Sequence, residues 1–183
     1  MSVPGSRALP EQKNWKNLGL PDIRDIDPEL LTSAIRERPG AESLEAAWEQ
    51  VAKGFGLHDG LNSTVIETPI CSVLVRREHL LHIVEKRPNA RERFTEFAQD
   101  TLKKPLEIWK VSYDDDSFRL TYIGVYNTKY QMLVVIHIDH CNVLWNFMNC
   151  DKKGLNKHRH GELLFQRYRW PKQKQAALHE KVA

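Results

Sequence analysis

Two hydrophobic periods divide this chain. Up to about Lys104 the apolar positions recur mainly at helical spacing, and after Pro105 they recur every second residue. In the first part, WKNLGLPDIRDID carries apolar anchors (Trp15, Leu18, Leu20, Ile23) without either period, which predicts an extended arm packed on the domain. Asp27 as N-cap with Pro28 behind it predicts a helix that stops before Pro39 and Gly40. Leu44, Ala47, Trp48 and Val51 share one face of a second helix, from about Ser43 to Lys53, with Gly54 as its stop. Residues 55–68 read as a loop with a short strand at Thr64 to Glu67, and Ile70 to Val75 reads as a strand. REHLLHIVEKRPNARERFTEFAQDTLKK predicts two helices divided at Pro88, the second capped by Asn89 with Glu92 in capping-box position. Phe94, Phe97, Ala98 and Leu102 form its apolar stripe.

Beyond Pro105, LEIWKVSY, FRLTYIGVY, YQMLVVIHID, VLWNFM and ELLFQRY are separated by DDDS, NTK, HCN and one long polar loop. Each separator has turn chemistry, so the pattern predicts an antiparallel meander of about five strands with YQMLVVIHI at its centre. The expected fold class is therefore α+β, with N-terminal helices packed on a twisted antiparallel sheet of about 4–5 strands. The expected organisation is an N-terminal arm with helices over residues 1–62, an α+β domain over 63–170, and a basic tail over 171–183.

Composition narrows the class. The 183 residues are 41% hydrophobic and 28% charged, as suits a soluble domain with a core. No apolar run approaches the roughly 18–20 residues of a membrane helix, and the N-terminus has no signal-peptide core. Three cysteines, Cys71, Cys141 and Cys150, at no framework spacing argue for free thiols in a reducing compartment. The net charge of +3 is modest, but its distribution is uneven. Between positions 152 and 174 lie Lys152, Lys153, Lys157, Arg159, Arg167, Arg169, Lys172 and Lys174, against Glu162 alone. A field of that sign attracts a polyanion.

Phosphate-binding glycine loops, nucleophile elbows and zinc fingers are missing from the sequence. What remains is His, Arg, Asn and Tyr, a set suited to metal-free phosphodiester chemistry. RNA brings its own nucleophile, the 2′-hydroxyl, and needs a base, an acid and cations for the crowded phosphorus. His79 and His82 share a helix face, and His82 is preferred because Leu80, Leu81, Ile83 and Val84 surround it. Arg119 stands on a strand opposite in facing to Phe118 and Leu120, where it can fork onto a phosphate or pair with Asp114 to Asp116. Arg91 and Arg93 oppose a helix dipole, or belong to a solvated face. Asn156 and Arg159 can reach one anion together, with Lys152, Lys153, Lys157 and His160 holding the rest of a strand; the plainer reading is a mobile basic loop. Tyr122, Trp145 and Phe147 can stack bases or fill the core. His137, His140, Cys141 and Cys150 are metal-ligand types at a spacing that matches no usual zinc pattern, so no metal is expected.

Several segments in order resemble a known group: WKNLGLPDIR, REHLLHIVEKRPNARERF, KPLEIWKVSY, RLTYIG and NFMNCDKKGLNKHRHGELLF. Over about residues 14–168 the chain resembles the phage-borne barnase/EndoU/colicin/RelE-like nuclease domains, found alone or at the C-terminus of Mu-like phage minor head proteins. The best marker is N-x-x-R-x-G-x-L-L, here Asn156, Arg159, Gly161, Leu163 and Leu164. The resemblance implies a metal-independent ribonuclease without cofactor, with a cleft lined by sheet and helix residues. It supports His82, Arg119, Tyr122, Asn156 and Arg159 as catalytic candidates, and Arg91 as a substrate contact. One departure is Phe165, where the resemblance leads to a tyrosine; His160 offers a nearby acid. The function expected is a toxin-like endoribonuclease acting on RNA, tRNA included, in the bacterial cytoplasm or with the virion. An immunity protein and phage head or portal proteins are the expected partners, and membrane is not. The competing expectation is a catalytically decayed nucleic-acid-binding or head-assembly module.

Overall fold

The computed structural model describes residues 5–33, 35–87 and 90–169. Its elements are α1 (Leu44–Gly54), β1 (Ser63–Glu67), β2 (Ser72–Arg76), α2 (Arg77–Glu85), α3 (Thr95–Lys103), β3 (Glu107–Ser112), β4 (Phe118–Gly124), β5 (Gln131–Ile138), β6 (Asn142–Cys150), α4 (Lys152–Asn156) and β7 (Glu162–Gln166). The fold is α+β, as the change of period predicts, but the sheet has seven strands rather than 4–5, in the order β1-β2-β6-β5-β4-β3-β7. Strands β3 to β6 form the expected antiparallel meander. Two of the extra strands are the β1–β2 hairpin, joined to β6 by a short parallel contact at Leu74 and Val143. Strand β7 does not stay beside β6; its chain crosses the sheet and pairs with the far edge of β3.

Alternation along each strand sends side chains to two separate cores. On one face, Leu120 and Tyr122 of β4, Val134 and Ile136 of β5 and Phe147 of β6 lie beneath α1, α2 and α3, which contribute Val51, Leu80, Ile83, Phe97 and Leu102. Gly124 marks how closely α3 approaches: a Cβ there would stand 2.1 Å from Thr101 Oγ1. On the other face, Trp109, Ile123 and Leu133 are covered by Ile23 and Ile26 of the arm and by Leu155 of α4. Each such side chain, fully buried, contributes on the order of 1.5–3 kcal/mol.

The arm is extended, as its irregular pattern implies, and bridges Ala8 to Tyr113 and Asn14 to His160. The helix expected after Asp27 shrinks to one 3₁₀ turn, Pro28–Leu30, with Asp27 accepting from the Glu29 N–H. Beyond it Thr32 bridges Tyr126, donating to the Val125 carbonyl at 3.0 Å and accepting from Asn127 at 2.9 Å, so a tertiary backbone contact replaces the next helical turn. The polar stretch after β6, expected as a loop, contains α4, capped by Asp151 accepting from the Gly154 N–H. Asn89 and the tail 171–183, including Lys172 and Lys174, lie outside the described residues. Among the described residues no helix is long and apolar enough to cross a membrane.

Candidate active site

The second sheet face has two ends, and each is built around an arginine. At one end Arg159 and Glu107 are both 0% exposed and meet in a fork, Nε to Oε2 at 2.8 Å and Nη2 to Oε1 at 2.6 Å. Trp109 Nε1 and the Tyr168 hydroxyl donate to the same carboxylate at 2.8 and 2.7 Å. Arg159 Nη1 donates to the Pro21 carbonyl at 2.8 Å and to Asn156 Oδ1 at 3.0 Å. Asn156 accepts in turn from the Ile23 N–H at 3.2 Å and donates to Asp22 Oδ1 at 2.8 Å. Hydrogen bonding to Arg24 above all holds the Asp22 carboxyl well below the usual carboxylate range. Burial, then the Glu107 charge, pushes the Tyr168 hydroxyl up.

Gly161 completes this end. It has φ +105°, and a Cβ there would come 2.2 Å from the Lys110 carbonyl oxygen, so only glycine lets β7 enter beside β3. The run Asn156, Arg159, Gly161, Leu163 therefore ties the arm, α4, β7 and β3 together. Desolvating an ion pair is tolerable because every strong donor and acceptor in it is matched.

At the other end Arg119 of β4 and His137 of β5 are direct cross-strand partners. Arg119 is four residues from Ile123, which pairs with Glu107, so the two ends lie about 13 Å apart along the sheet. The Arg119 guanidinium lies over the rings of Tyr113, at 4.2 Å, and Trp145, at 5.8 Å. His137 stands 5.1 Å from the Trp145 ring and His79 of α2 stands 6.5 Å from it, edge-on. Trp145 owes this position to a bulge: Val135 pairs with Asn146 and Ile136 with Leu144, leaving Trp145 as the extra residue. Bulges re-aim side chains in this way.

His79 Nδ1, Arg119 Nε and His137 Nδ1 are buried atoms with no hydrogen-bond partner among the described residues. Arg119 Nη2 donates to Ser6 Oγ at 3.3 Å. Alongside, Arg91 donates to the Phe147 carbonyl at 2.7 Å and to Asn146 Oδ1. Burial lowers the Lys86 pKa, and the charges of Arg91 and Arg119 lower it further, so the three cations share one field. Burial likewise lowers the His79 pKa, opposed by Glu78, whose Oε1 is 3.9 Å from Nε2. The arrangement can hold an anion, and it offers two imidazoles for proton transfer.

The sequence-expected residues thus divide. Arg119 and Arg91 belong to this end of the sheet. His82 is 73% exposed, with Nδ1 3.3 Å from Glu85 Oε2; it stands on α2 three residues after His79. Tyr122 does not join them, because its neighbours in β4 alternate in facing. It is fully buried under the helices, bonded to Thr68 Oγ1 at 2.9 Å and in contact with Cys71 Sγ at 3.4 Å; burial pushes its hydroxyl up. Phe147 is core as well. Asn156 and Arg159 sit at the closed end, where they line a cavity beneath the arm together with Lys153, Lys157 and His160. Lys152 is the first residue of α4, half-buried beside them. Phe165 pairs with Ile108 and packs against the helix-side core.

Sequence reasoning named neither Lys86 nor Asn146, weighed His137 only as a metal ligand, set His79 behind His82, and offered Trp145 as a stacking ring or core residue. His137 had a usable signal, since it shares period-two facing with the inward positions of its strand; the bulge at Trp145 had none. Among the described residues no group of three or more His, Cys, Asp or Glu side chains is disposed to hold a metal ion.

Comparison with known proteins adds one finding. Neither the curated proteins nor the solved structures compared gave a match. A family model, phage-Barnase-EndoU-ColicinE5/D-RelE like nuclease2, matches residues 50–166, from the middle of α1 through β7, and so takes in the helices, the whole sheet and both arginine ends. With that match covering well over half its length, the chain belongs to the phage-Barnase-EndoU-ColicinE5/D-RelE like nuclease2 family.

Proposed function

We propose that this nuclease-family chain is an endoribonuclease whose centre is the Arg119 end of the sheet. One observation carries the reading: three buried nitrogens, on His79, Arg119 and His137, lack partners among the described residues, and their side chains surround the half-buried Trp145. An unsatisfied buried polar group costs about 1–3 kcal/mol. Two strands and an adjoining helix held only for packing have no reason to carry three of them around one ring, whereas a ribose and its phosphodiester supply the missing partners.

In the reaction proposed, a phosphate oxygen accepts from Arg119, with Lys86 and Arg91 adding positive field as charge builds on the equatorial oxygens. His79, biased toward its neutral form by burial, takes the proton from the 2′-hydroxyl. The O2′–P bond forms as the P–O5′ bond breaks, and His137 gives a proton to the departing 5′-oxygen. The products are a 2′,3′-cyclic phosphate and a 5′-hydroxyl. Trp145 provides a ring for a flanking base. This route needs no metal, and it excludes DNA, which lacks the nucleophile.

The test is incubation of the purified protein with end-labelled RNA in EDTA across pH and salt. Cleavage leaving cyclic phosphate ends, abolished by a 2′-deoxy residue at the scissile position and by Arg119→Ala, is the expected result. Intact RNA under every condition refutes it. RNA that is bound but never cut favours a decayed binding module, a reading supported by Phe165 in place of the tyrosine that the resemblance leads one to expect. A toxin role predicts that wild type, and not Arg119→Ala, arrests growth when expressed in bacteria.

A further inference from the structure

We infer that the cavity between the N-terminal arm and α4 is a second RNA subsite, which holds a nucleotide of the same single strand whose scissile phosphate sits at Arg119. The inference rests on the cleavage reading for its substrate, but on different residues. The cavity measures about 610 Å³ and is walled by Trp15, Lys16, Lys153, Lys157, His160 and Gln12 among others. That volume lies inside the roughly 300–1,000 Å³ typical of small-ligand pockets.

Its charge is unbalanced. Of the charged residues at the cavity, Arg159 is committed to Glu107 and Arg24 to Asp22. Lys16, Lys153 and Lys157 form no ion pair among the described residues, so three cations face the cavity uncompensated. The wall also holds an aromatic platform. Trp15 is half-buried and fixed by its backbone, donating to the Arg159 carbonyl at 3.0 Å and accepting from Leu20 at 2.9 Å. Arg159 lies 5.2 Å from the ring and the Lys16 ammonium 5.4 Å. A ring fixed at its backbone and flanked by lysines without ion pairs among the described residues is the chemistry of single-strand binding, in which a base stacks and its phosphates meet the cations.

The position argues for a strand rather than a free nucleotide. Ser6, whose hydroxyl meets Arg119, is two residues from Ala8, which lines the cavity. Two extended residues span at most about 7 Å. A strand held at Arg119 therefore reaches the cavity along the arm with few intervening nucleotides. This gives the basic stretch around α4 a role in gripping substrate at a distance from the chemistry.

The test uses the full chain and a 2′-fluoro oligonucleotide, which binds without being cut. In a strand of about ten residues, Lys153→Glu with Lys157→Glu is expected to raise Kd at least about tenfold and flatten the log Kd against log salt slope by about 1.4. A dinucleotide should bind unchanged, as should the long strand to Lys53→Glu with Lys103→Glu, a pair placed on the helix side. A photoreactive base in the long strand is expected to crosslink to the peptide containing Trp15 in the unaltered protein. Equal weakening for both lengths, a loss no larger than in the helix-side pair, or crosslinks confined to other peptides overturns the subsite. A uridine monophosphate that binds as tightly as the long strand also overturns it, in favour of a free-nucleotide site. Binding is read without turnover, so RNA gripped at the arm but never cut would sink the cleavage reading alone. Normal cleavage with unaltered long-strand binding in the lysine variant would sink the subsite alone.

Discussion

Arg159 and Arg119 lie against the same face of one sheet and differ in how their guanidinium groups are paired. Arg159 has its donors matched by Glu107, the Pro21 carbonyl and Asn156, and no exposed surface. Arg119 has aromatic rings against it, the Ser6 hydroxyl on one nitrogen, and a buried Nε without a partner among the described residues. A matched guanidinium is a fastening, whereas the partly unpaired Arg119, near two imidazoles, is the one that the proposed cleavage uses. The Asn156 to Leu164 run accordingly closes the fold beneath the arm.

Variants can break this comparison, starting with the largest effect. Arg159→Ala leaves Glu107 buried without its counter-charge and is expected to cost about 3–5 kcal/mol of unfolding free energy. Adding Glu107→Leu should recover much of that in urea denaturation. A small loss from Arg159→Ala alone would show that the pair is not the fastening described.

The histidine variants come next. His79→Ala and His137→Ala are each expected to lower kcat by about 10²–10⁴-fold with the fold intact. The His79 pKa is depressed below 6.5, chiefly by burial. Neutral His79 therefore dominates at pH 7, and kcat/KM should fall as pH drops through that lowered value. His79→Ala should erase this acid limb; a limb that survives assigns the base elsewhere. The stability linkage has the same sign, because the unfolded chain binds the proton more readily: the His79 contribution is present above the ordinary histidine value and is lost as pH falls through the folded one.

Arg119→Ala should reduce kcat/KM by about 10²–10³-fold while changing stability by less than about 1 kcal/mol. The reverse outcome, a stability loss with the rate preserved, would exchange the roles of the two arginines. Tyr122→Phe removes the bond to Thr68 and should cost about 1 kcal/mol in thermal unfolding without altering the rate. His82→Ala is the mildest, with stability shifted by less than about 0.5 kcal/mol and kcat unchanged. A large rate loss there would move the centre outward along α2.

Legibility differed sharply between fold and site. The helix at Leu44–Gly54, the division of the chain near Pro105 and the meander β3 to β6 could all be read, because each depends on residues close in sequence. The helix expected after Asp27 failed because Thr32 finds a backbone partner at Tyr126. At the site, the opposed facing of Arg119 and Leu120 was legible. Grouping Tyr122 with Arg119 ignored the same alternation and mixed the two faces. His82 was preferred to His79 for its apolar neighbours, yet the helix turns those neighbours inward and leaves His82 exposed.

The sequence by itself determined most of the helices and strands, and which side chains share a face within each. Local periodicity and capping act over a few residues, so no distant partner is needed to read them. Only the tertiary structure decided that β7 crosses to β3 and seals Arg159 against Glu107, and that the β4–β5 register sets Arg119 beside His137. The bulge that turns Trp145 toward them was settled at the same level. Those outcomes depend on pairing between strands far apart in the chain. A shift of one residue in that pairing would exchange the buried and exposed faces and, with them, the fastening and the site.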